Sequence, residues 1–212
     1  MGGQNKLVEK NELQKFADYV RLTWDRRLTE STGGNMSINI KNKIYITPSS
    51  FVKHFFSLED IVITDMDGKQ LAGKYKASSE IKMHLKIYKS REDIKSIFHA
   101  HPRNGLLCAI NNIKINIHTL PEAAFMLGEI AYIPYSQPGT EKFAQGFSKD
   151  VKKGCNVFIL ENHGVTTCGD SIETAFARLE TLETCAYLSV IQILLKRDPK
   201  LIPAEEISKI LK

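Results

Sequence analysis

The strongest constraint on the fold of this chain is a pair of short runs, Met36 to Ile40 and Ile44 to Thr47, in which apolar and polar residues alternate on either side of Lys41-Asn42-Lys43. Period-two alternation broken by a polar turn is the pattern of a hairpin with one buried face. A second pair, Ile61 to Asp65 and Lys69 to Leu71, is joined through Asp67-Gly68, a dipeptide suited to a tight turn. The surrounding segments carry the helical period instead. Leu13, Phe16, Ala17, Val20 and Trp24 predict an amphipathic helix over Asn11 to Arg27. Further helices are expected from a Ser79 cap to Arg91, and at Arg103 to Ile110, Pro121 to Leu127, Thr140 to Val151 and Ile172 to Leu195. Strands are expected at Ser96 to His101, Ala131 to Pro134, Val157 to Leu160 and Val165 to Cys168. Hairpins mixed with helices predict a largely antiparallel sheet covered by helices.

A chain of 212 residues with no Pro- or Ser-rich linker and no repeat is long enough for one sizeable core, so residues 1–212 are read as a single domain. The net charge of +5 comes from lysines scattered through both halves; a nucleic-acid binder concentrates its charge, whereas a mild excess suits a small anion. The segment MGGQNKLVEK lacks the apolar core of a signal peptide, and no run reaches the roughly 18 apolar residues of a spanning helix. A cytoplasmic protein with neither nucleic-acid nor membrane partner is expected. Lys6 stands where a myristoylation signal needs Ser or Thr. Cys108, Cys155, Cys168 and Cys185 form no C-x-x-C pair and read as buried free thiols.

His99-Ala100-His101 ends a predicted strand, so alternation sends both imidazoles to one side, a two-pronged metal grip. The third ligand that a catalytic zinc site needs is best supplied by His163, at the exit of the Val157 to Leu160 strand, beside Gly164. The competing reading is a pair of structural histidines. Glu80, at a helix start, reads either as a residue favourable to the helix dipole or as a general base beside the metal. His84, one turn later, reads as a fourth ligand or, preferably, as a supporting residue. Thr32-Gly33-Gly34-Asn35, Thr47-Pro48-Ser49-Ser50 and Ser78-Ser79 offer backbone and hydroxyl donors suited to an oxyanion if they converge, and plain turns if they do not.

Taken in order, Gly33-Gly34-Asn35-Met36-Ser37, Ile46-Thr47-Pro48-Ser49, Ser78-Ser79-Glu80, His99-Ala100-His101-Pro102, Pro138-Gly139-Thr140 and Asn162-His163-Gly164 resemble the class II aldolase/adducin family over residues 10 to 195. The resemblance implies an α/β, three-layer αβα fold with a central, mostly antiparallel sheet, assembled as a homotetramer with active sites between subunits. It implies one zinc ion per subunit on His99, His101 and His163, Glu80 as the catalytic carboxylate of the fuculose-phosphate aldolase branch, and a substrate phosphate held by Gly34, Asn35, Ser49, Ser50, Ser78 and Ser79. The chemistry is reversible cleavage of a ketose 1-phosphate to dihydroxyacetone phosphate and an aldehyde, with zinc as Lewis acid and Glu80 moving the proton.

Some positions depart from that branch. Ser50 stands where many members have Gly. Leu120 stands where the aldolase branch has a tyrosine, and no tyrosine follows Tyr187, so Tyr132 and Tyr135 are the candidates for proton donor. The epimerase branch carries Asp at the position of Glu80. Glu122 lies near the catalytic glutamate of the methylthioribulose-phosphate dehydratase branch, which makes a dehydratase the first alternative, followed by a related decarboxylase. A non-catalytic interaction module like the adducin head domains is the alternative of another class.

Overall fold

A computed structural model describes residues 2–210. Helix α1 spans Gly2–Asp25, starting nearer the N-terminus than the Asn11 expected from its apolar stripe. No helix breaker follows Gly3, and Tyr45 donates to Glu9 Oε1 at 2.5 Å, tying the early turns to the sheet. The first hairpin is β1 (Asn35–Ile40) and β2 (Lys43–Ile46), with Ser37 opposite Ile46 and Ile38 opposite Tyr45. Its turn puts Lys41 and Asn42 at φ 51° and 63°, the doubly positive geometry whose twist matches antiparallel strands. The second hairpin is β3 (Val62–Thr64) and β4 (Gln70–Ala72).

Helix α2 (Ile81–Ser90) precedes β5 (Ser96–Ala100), α3 (Arg103–Asn111), α4 (Pro121–Leu127) and β6 (Ile130–Ile133). The helix expected over Thr140 to Val151 is two, α5 (Glu141–Gly146) and α6 (Ser148–Lys152), which meet at the fully buried Phe147. Strands β7 (Val157–Leu160) and β8 (Gly164–Gly169) lead into α7 (Ile172–Leu195). A last helix, α8 (Ala204–Ile210), which sequence periodicity did not reveal, packs against α4.

The strands form one sheet in the order β4-β3-β2-β1-β5-β8-β7-β6, antiparallel throughout except for the parallel β6–β7 edge. Alternation along each strand feeds two cores. Phe98 and Ala100 of β5 join α1, α3, α4 and α7 through Phe16, Cys108, Ala123 and Leu179. Ile97 joins α2, α5 and α6 through Met83, Phe143 and Val151. This is the three-layer αβα architecture with a mostly antiparallel sheet, and it fixes His99, in register with Ile97, on the α2 side. The four cysteines are buried and free. No helix among the described residues is long and apolar enough to cross a membrane.

Candidate metal centre and anion loops

Strand β5 sits between β1 and β8 at the centre of the sheet, so the residue that ends it emerges in the middle of the molecule. His99 is fully buried opposite Asn35 on β1 and Thr166 on β8. His101 lies one residue beyond the strand, half-buried, and Pro102 then starts α3. Its exit is held from across the fold: the Glu183 carboxylate on α7 accepts from the backbone N–H of Asn104 at 3.1 Å and of Gly105 at 2.9 Å. His163 comes from the turn between β7 and β8, where Asn162 has φ 53° and Gly164 pairs with Leu160. A Cβ at Gly164 would lie 2.6 Å from the His101 ring, so only glycine lets this turn close against the strand exit.

One ligand atom from each of His99, His101 and His163 lies within 4.8 Å of the others. Glu80 is the N-terminal boundary residue of α2 and is 9% exposed. Its Oε2 is 3.4 Å from His99 Nε2, and its Oε1 is 3.4 Å from His163 Nε2. Ser79, expected to cap α2, does not; Ser78 Oγ instead accepts from the Glu80 backbone N–H at 3.2 Å.

The proton positions favour a cation at this point. His99 Nδ1 faces the Val165 carbonyl at 2.9 Å. A carbonyl only accepts, so Nδ1 carries the hydrogen and Nε2 a lone pair. Burial lowers the His99 pKa to about 3, keeping the ring neutral. His101 Nδ1 faces Glu30 Oε1 at 2.6 Å, which by the same logic turns its Nε2 lone pair inward. The two Nε2 atoms are 3.3 Å apart, a repulsive arrangement for two neutral rings that a shared cation makes favourable. Glu80 Oε2 and His163 Nδ1 are buried without hydrogen-bond partners. The three imidazoles form a donor set of the kind a catalytic zinc site uses, with the Glu80 carboxylate beside it. Burial raises the Glu80 pKa, but the facing His99 and His163 outweigh it and bring it to about 2, so the carboxylate is ionised.

The three polar stretches converge. Thr47 N donates to Met36 O and Thr47 Oγ1 accepts from Met36 N, joining the end of β2 to the start of β1. Ser49 N donates to Lys76 O at 3.1 Å and Pro48 bridges Ala77, joining the second stretch to the Ser78-Ser79 segment. Fully buried Lys53 donates its Nζ to Thr32 O and Phe51 O, joining the second stretch to the first. Gly34, at φ 65°, lies so near β5 that a Cβ would be 2.5 Å from His99 O. Ser49, Ser50 and Ser79 are exposed at the rim, whereas Asn35 and Ser78 are buried. Ser50 has φ 52°, the left-handed conformation in which glycine is at ease, so the turn keeps the shape that a glycine suits although Ser stands here. Gly139 of the Pro138-Gly139-Thr140 motif packs its backbone on Ser79, with room for no Cβ.

Other expected residues stand elsewhere. His84 is no free ligand, because its Nε2 contacts Asn35 Oδ1 at 2.5 Å and its Nδ1 contacts Ser37 Oγ at 2.7 Å. Glu122 is exposed on α4, and no hydrogen bond or ion pair among the described residues links it to the histidines. Tyr132 packs on the α7 side of the sheet and accepts from Ile115 N at 2.8 Å, away from Glu80 on the α2 side. Tyr135 is 57% exposed in the loop after β6. A cavity of about 820 Å³ lined by Trp24, Arg27, Thr29, Glu30, His101 and Arg103 opens beside His101. Glu30, in the turn after α1, gave no periodic or motif signal in the sequence.

Residues 14–190 match the family described as Class II Aldolase and Adducin N-terminal domain. An L-fuculose phosphate aldolase of Methanococcus maripaludis is 37% identical over 179 residues, covering 84% of this chain and 96% of that protein. A 3-oxo-tetronate 4-phosphate decarboxylase of Haemophilus influenzae is 33% identical over 174 residues, covering 79% of this chain and 81% of that protein. A solved L-fuculose 1-phosphate aldolase superposes with a TM-score of 0.86 at 27% identity, covering 95% of this chain and 94% of that one.

Proposed function

The chain belongs to the class II aldolase and adducin family, and we propose that within it the protein is a zinc-dependent aldolase that reversibly cleaves a ketose 1-phosphate of the fuculose 1-phosphate type to dihydroxyacetone phosphate and an aldehyde. The observation that carries this reading is the Glu80 carboxylate 3.4 Å from two imidazoles of the histidine group, next to three loops tied together at the same end of the sheet. His99, His101 and His163 would hold the metal. A bound zinc ion supplies Lewis-acid polarisation of the substrate oxygens.

Gly34, Asn35, Ser49, Ser50, Ser78 and Ser79 receive the phosphate through backbone N–H groups and hydroxyls, which need no counter-charge from a buried lysine. Glu80 takes the proton from the carbon beside the carbonyl in the synthetic direction and returns it in cleavage. Tyr132 is held on the α7 side of the sheet, away from Glu80, which leaves Tyr135, exposed in the loop after β6, as the candidate proton donor of this subunit. A homotetramer with sites between subunits belongs to the same reading, supported by exposed apolar side chains such as Phe55 at 75% and Leu194 at 70%. A cytoplasmic location is part of the same reading, which four buried cysteines without a disulfide suit.

Metal analysis of the purified protein, with a panel of ketose 1-phosphates assayed for dihydroxyacetone phosphate release, tests the proposal. Stoichiometric zinc with release from one substrate supports it. Zinc with carbon dioxide release from a 3-oxo acid phosphate would replace it with the decarboxylase reading, which the Haemophilus influenzae relative supports. Absence of zinc would favour a non-catalytic interaction module.

A further inference from the structure

Two of the three histidines have their outward nitrogen accounted for, and they do so differently. His99 Nδ1 donates to a backbone carbonyl on β8, an acceptor that the fold itself supplies. His101 Nδ1 is paired with a side chain, Glu30 Oε1, at 2.6 Å. Glu30 lies in the turn after α1, 71 residues away in the chain, and reaches back over its own loop to the strand exit. Its carboxylate is 57% exposed while the His101 side chain is 17% exposed, so the pair joins the solvent-facing wall of the site to its interior.

The loop is shaped to permit this reach. A Cβ at Gly33 would lie 2.0 Å from Glu30 Oε1 and 2.3 Å from Glu30 Cδ. No φ requirement singles out Gly33; its positive-φ neighbour is Gly34. Glycine at position 33 therefore serves the carboxylate rather than the backbone. The loop is pinned on both sides of it, by Thr29 Oγ1 on Gly33 O at 3.0 Å and by Lys53 N on Ser31 O at 2.8 Å.

We propose that Glu30 is a positioning residue for the metal centre: it holds the His101 proton on Nδ1 so that Nε2 is presented to the cation, and Gly33 keeps the space it needs. An exposed ion pair is ordinarily worth little. Here the pair selects one tautomer of a ligand, and carboxylate partners of metal-bound histidines typically change metal affinity by about 10–100-fold. The inference rests on the proposed metal role of the histidines.

The test is zinc affinity of the full-length protein, measured by chelator competition on metal-free wild type and on Glu30→Ala, Glu30→Gln and Gly33→Ala. The expected result is a rise in zinc Kd of about 10–100-fold for Glu30→Ala. Glu30→Gln, which keeps an acceptor oxygen but no charge, should fall between it and wild type. Gly33→Ala should resemble Glu30→Ala although Glu30 is still present. In the metal-free proteins, urea unfolding midpoints of wild type and Glu30→Ala should stay close, since an exposed pair contributes little to stability, whereas general loop damage would lower the variant's. Wild-type zinc affinity in both Glu30→Ala and Gly33→Ala would overturn the assignment alone. A wild-type protein that binds no zinc would overturn it together with the metal reading.

Discussion

His84 Nε2 stands 2.5 Å from Asn35 Oδ1, inside the protein and directly behind the metal centre. The carboxamide oxygen is thereby committed to the ring, which leaves the Asn35 amide nitrogen as the end free for an anion. The ring orientation is set in turn by Ser37 Oγ at Nδ1 and by Tyr88 OH, 2.8 Å from that hydroxyl. Replacement of His84 by Phe leaves Asn35 Oδ1 and Ser37 Oγ without their buried partner, a cost of about 3 kcal/mol for two such groups. Urea unfolding should show a midpoint lowered accordingly, with zinc content retained and the KM for phosphorylated substrate raised more than kcat is reduced. Loss of zinc in this variant would mean that His84 is a ligand after all.

Glu80 and His101 separate chemistry from metal binding. Glu80→Gln is isosteric, so it should keep zinc and phosphate affinity while turnover falls by about 10²–10⁴-fold, the usual worth of a positioned acid/base group. His101→Ala should lose zinc and activity together. Near-normal turnover in Glu80→Gln would remove Glu80 from the proton-transfer step.

The contrast between these residues and Glu30 shows what the sequence makes legible. His99, His101 and His163 were readable because strand alternation and a glycine turn announce which way side chains leave the sheet. The hairpins were readable for the same reason. Glu30 acts across 71 residues from an irregular turn, where no period exists to flag it. The convergence of the anion loops involves Lys53, a residue type usually solvated, here buried with its Nζ donating to Thr32 O and Phe51 O. The continuous helix expected over Thr140 to Val151 broke because Phe147 must turn inward to fill the α2-side core. Among the described side chains of helix α8, Ile207 is the buried apolar residue, too little for a pattern.

Lys53 should leave a mark on stability against pH. Burial lowers its pKa from 10.5 to about 8 in the folded protein. Between those values the unfolded chain binds more protons than the folded one, so stability rises with pH there. The cost of the charge is fully present below pH 8 and vanishes above 10.5, a span worth about 3 kcal/mol. Lys53→Met should flatten this rise in unfolding free energies measured from pH 7 to 10.5. It should also raise KM for phosphorylated substrates, because the two loops lose their tie. An unaltered pH profile would show that Lys53 is not the group responsible.

The anion loops can be probed at backbone and hydroxyl separately. Gly34→Ala would put a methyl 2.5 Å from His99 O at a φ of 65°, and both stability and zinc affinity should fall. Ser50→Gly should instead stabilise the protein by about 0.5 kcal/mol, since the left-handed conformation costs Ser more than glycine loses in chain entropy. Ser78→Ala with Ser79→Ala should raise KM for phosphorylated substrates most. Equal effects on unphosphorylated analogues would argue against a phosphate pocket.

Glu183 offers a test of how the metal centre depends on a distant support. Its carboxylate accepts from Asn104 N, Asn104 Nδ2 and Gly105 N, at 3.1, 2.7 and 2.9 Å. It thus neutralises the start of α3 two residues after the Pro102 that follows His101. An anion at a helix N-terminus interacts with both the unpaired N–H groups and the helix dipole. Glu183→Ala should therefore cost about 2 kcal/mol in unfolding free energy, by the worth of charge-assisted hydrogen bonds. Glu183→Gln can still accept with one oxygen and should cost about half as much. Because α3 begins just beyond His101, zinc affinity should weaken in the same order. A Glu183→Ala protein that loses stability but binds zinc like wild type would show that His101 is positioned by β5 and Glu30 alone, without help from the helix that follows it.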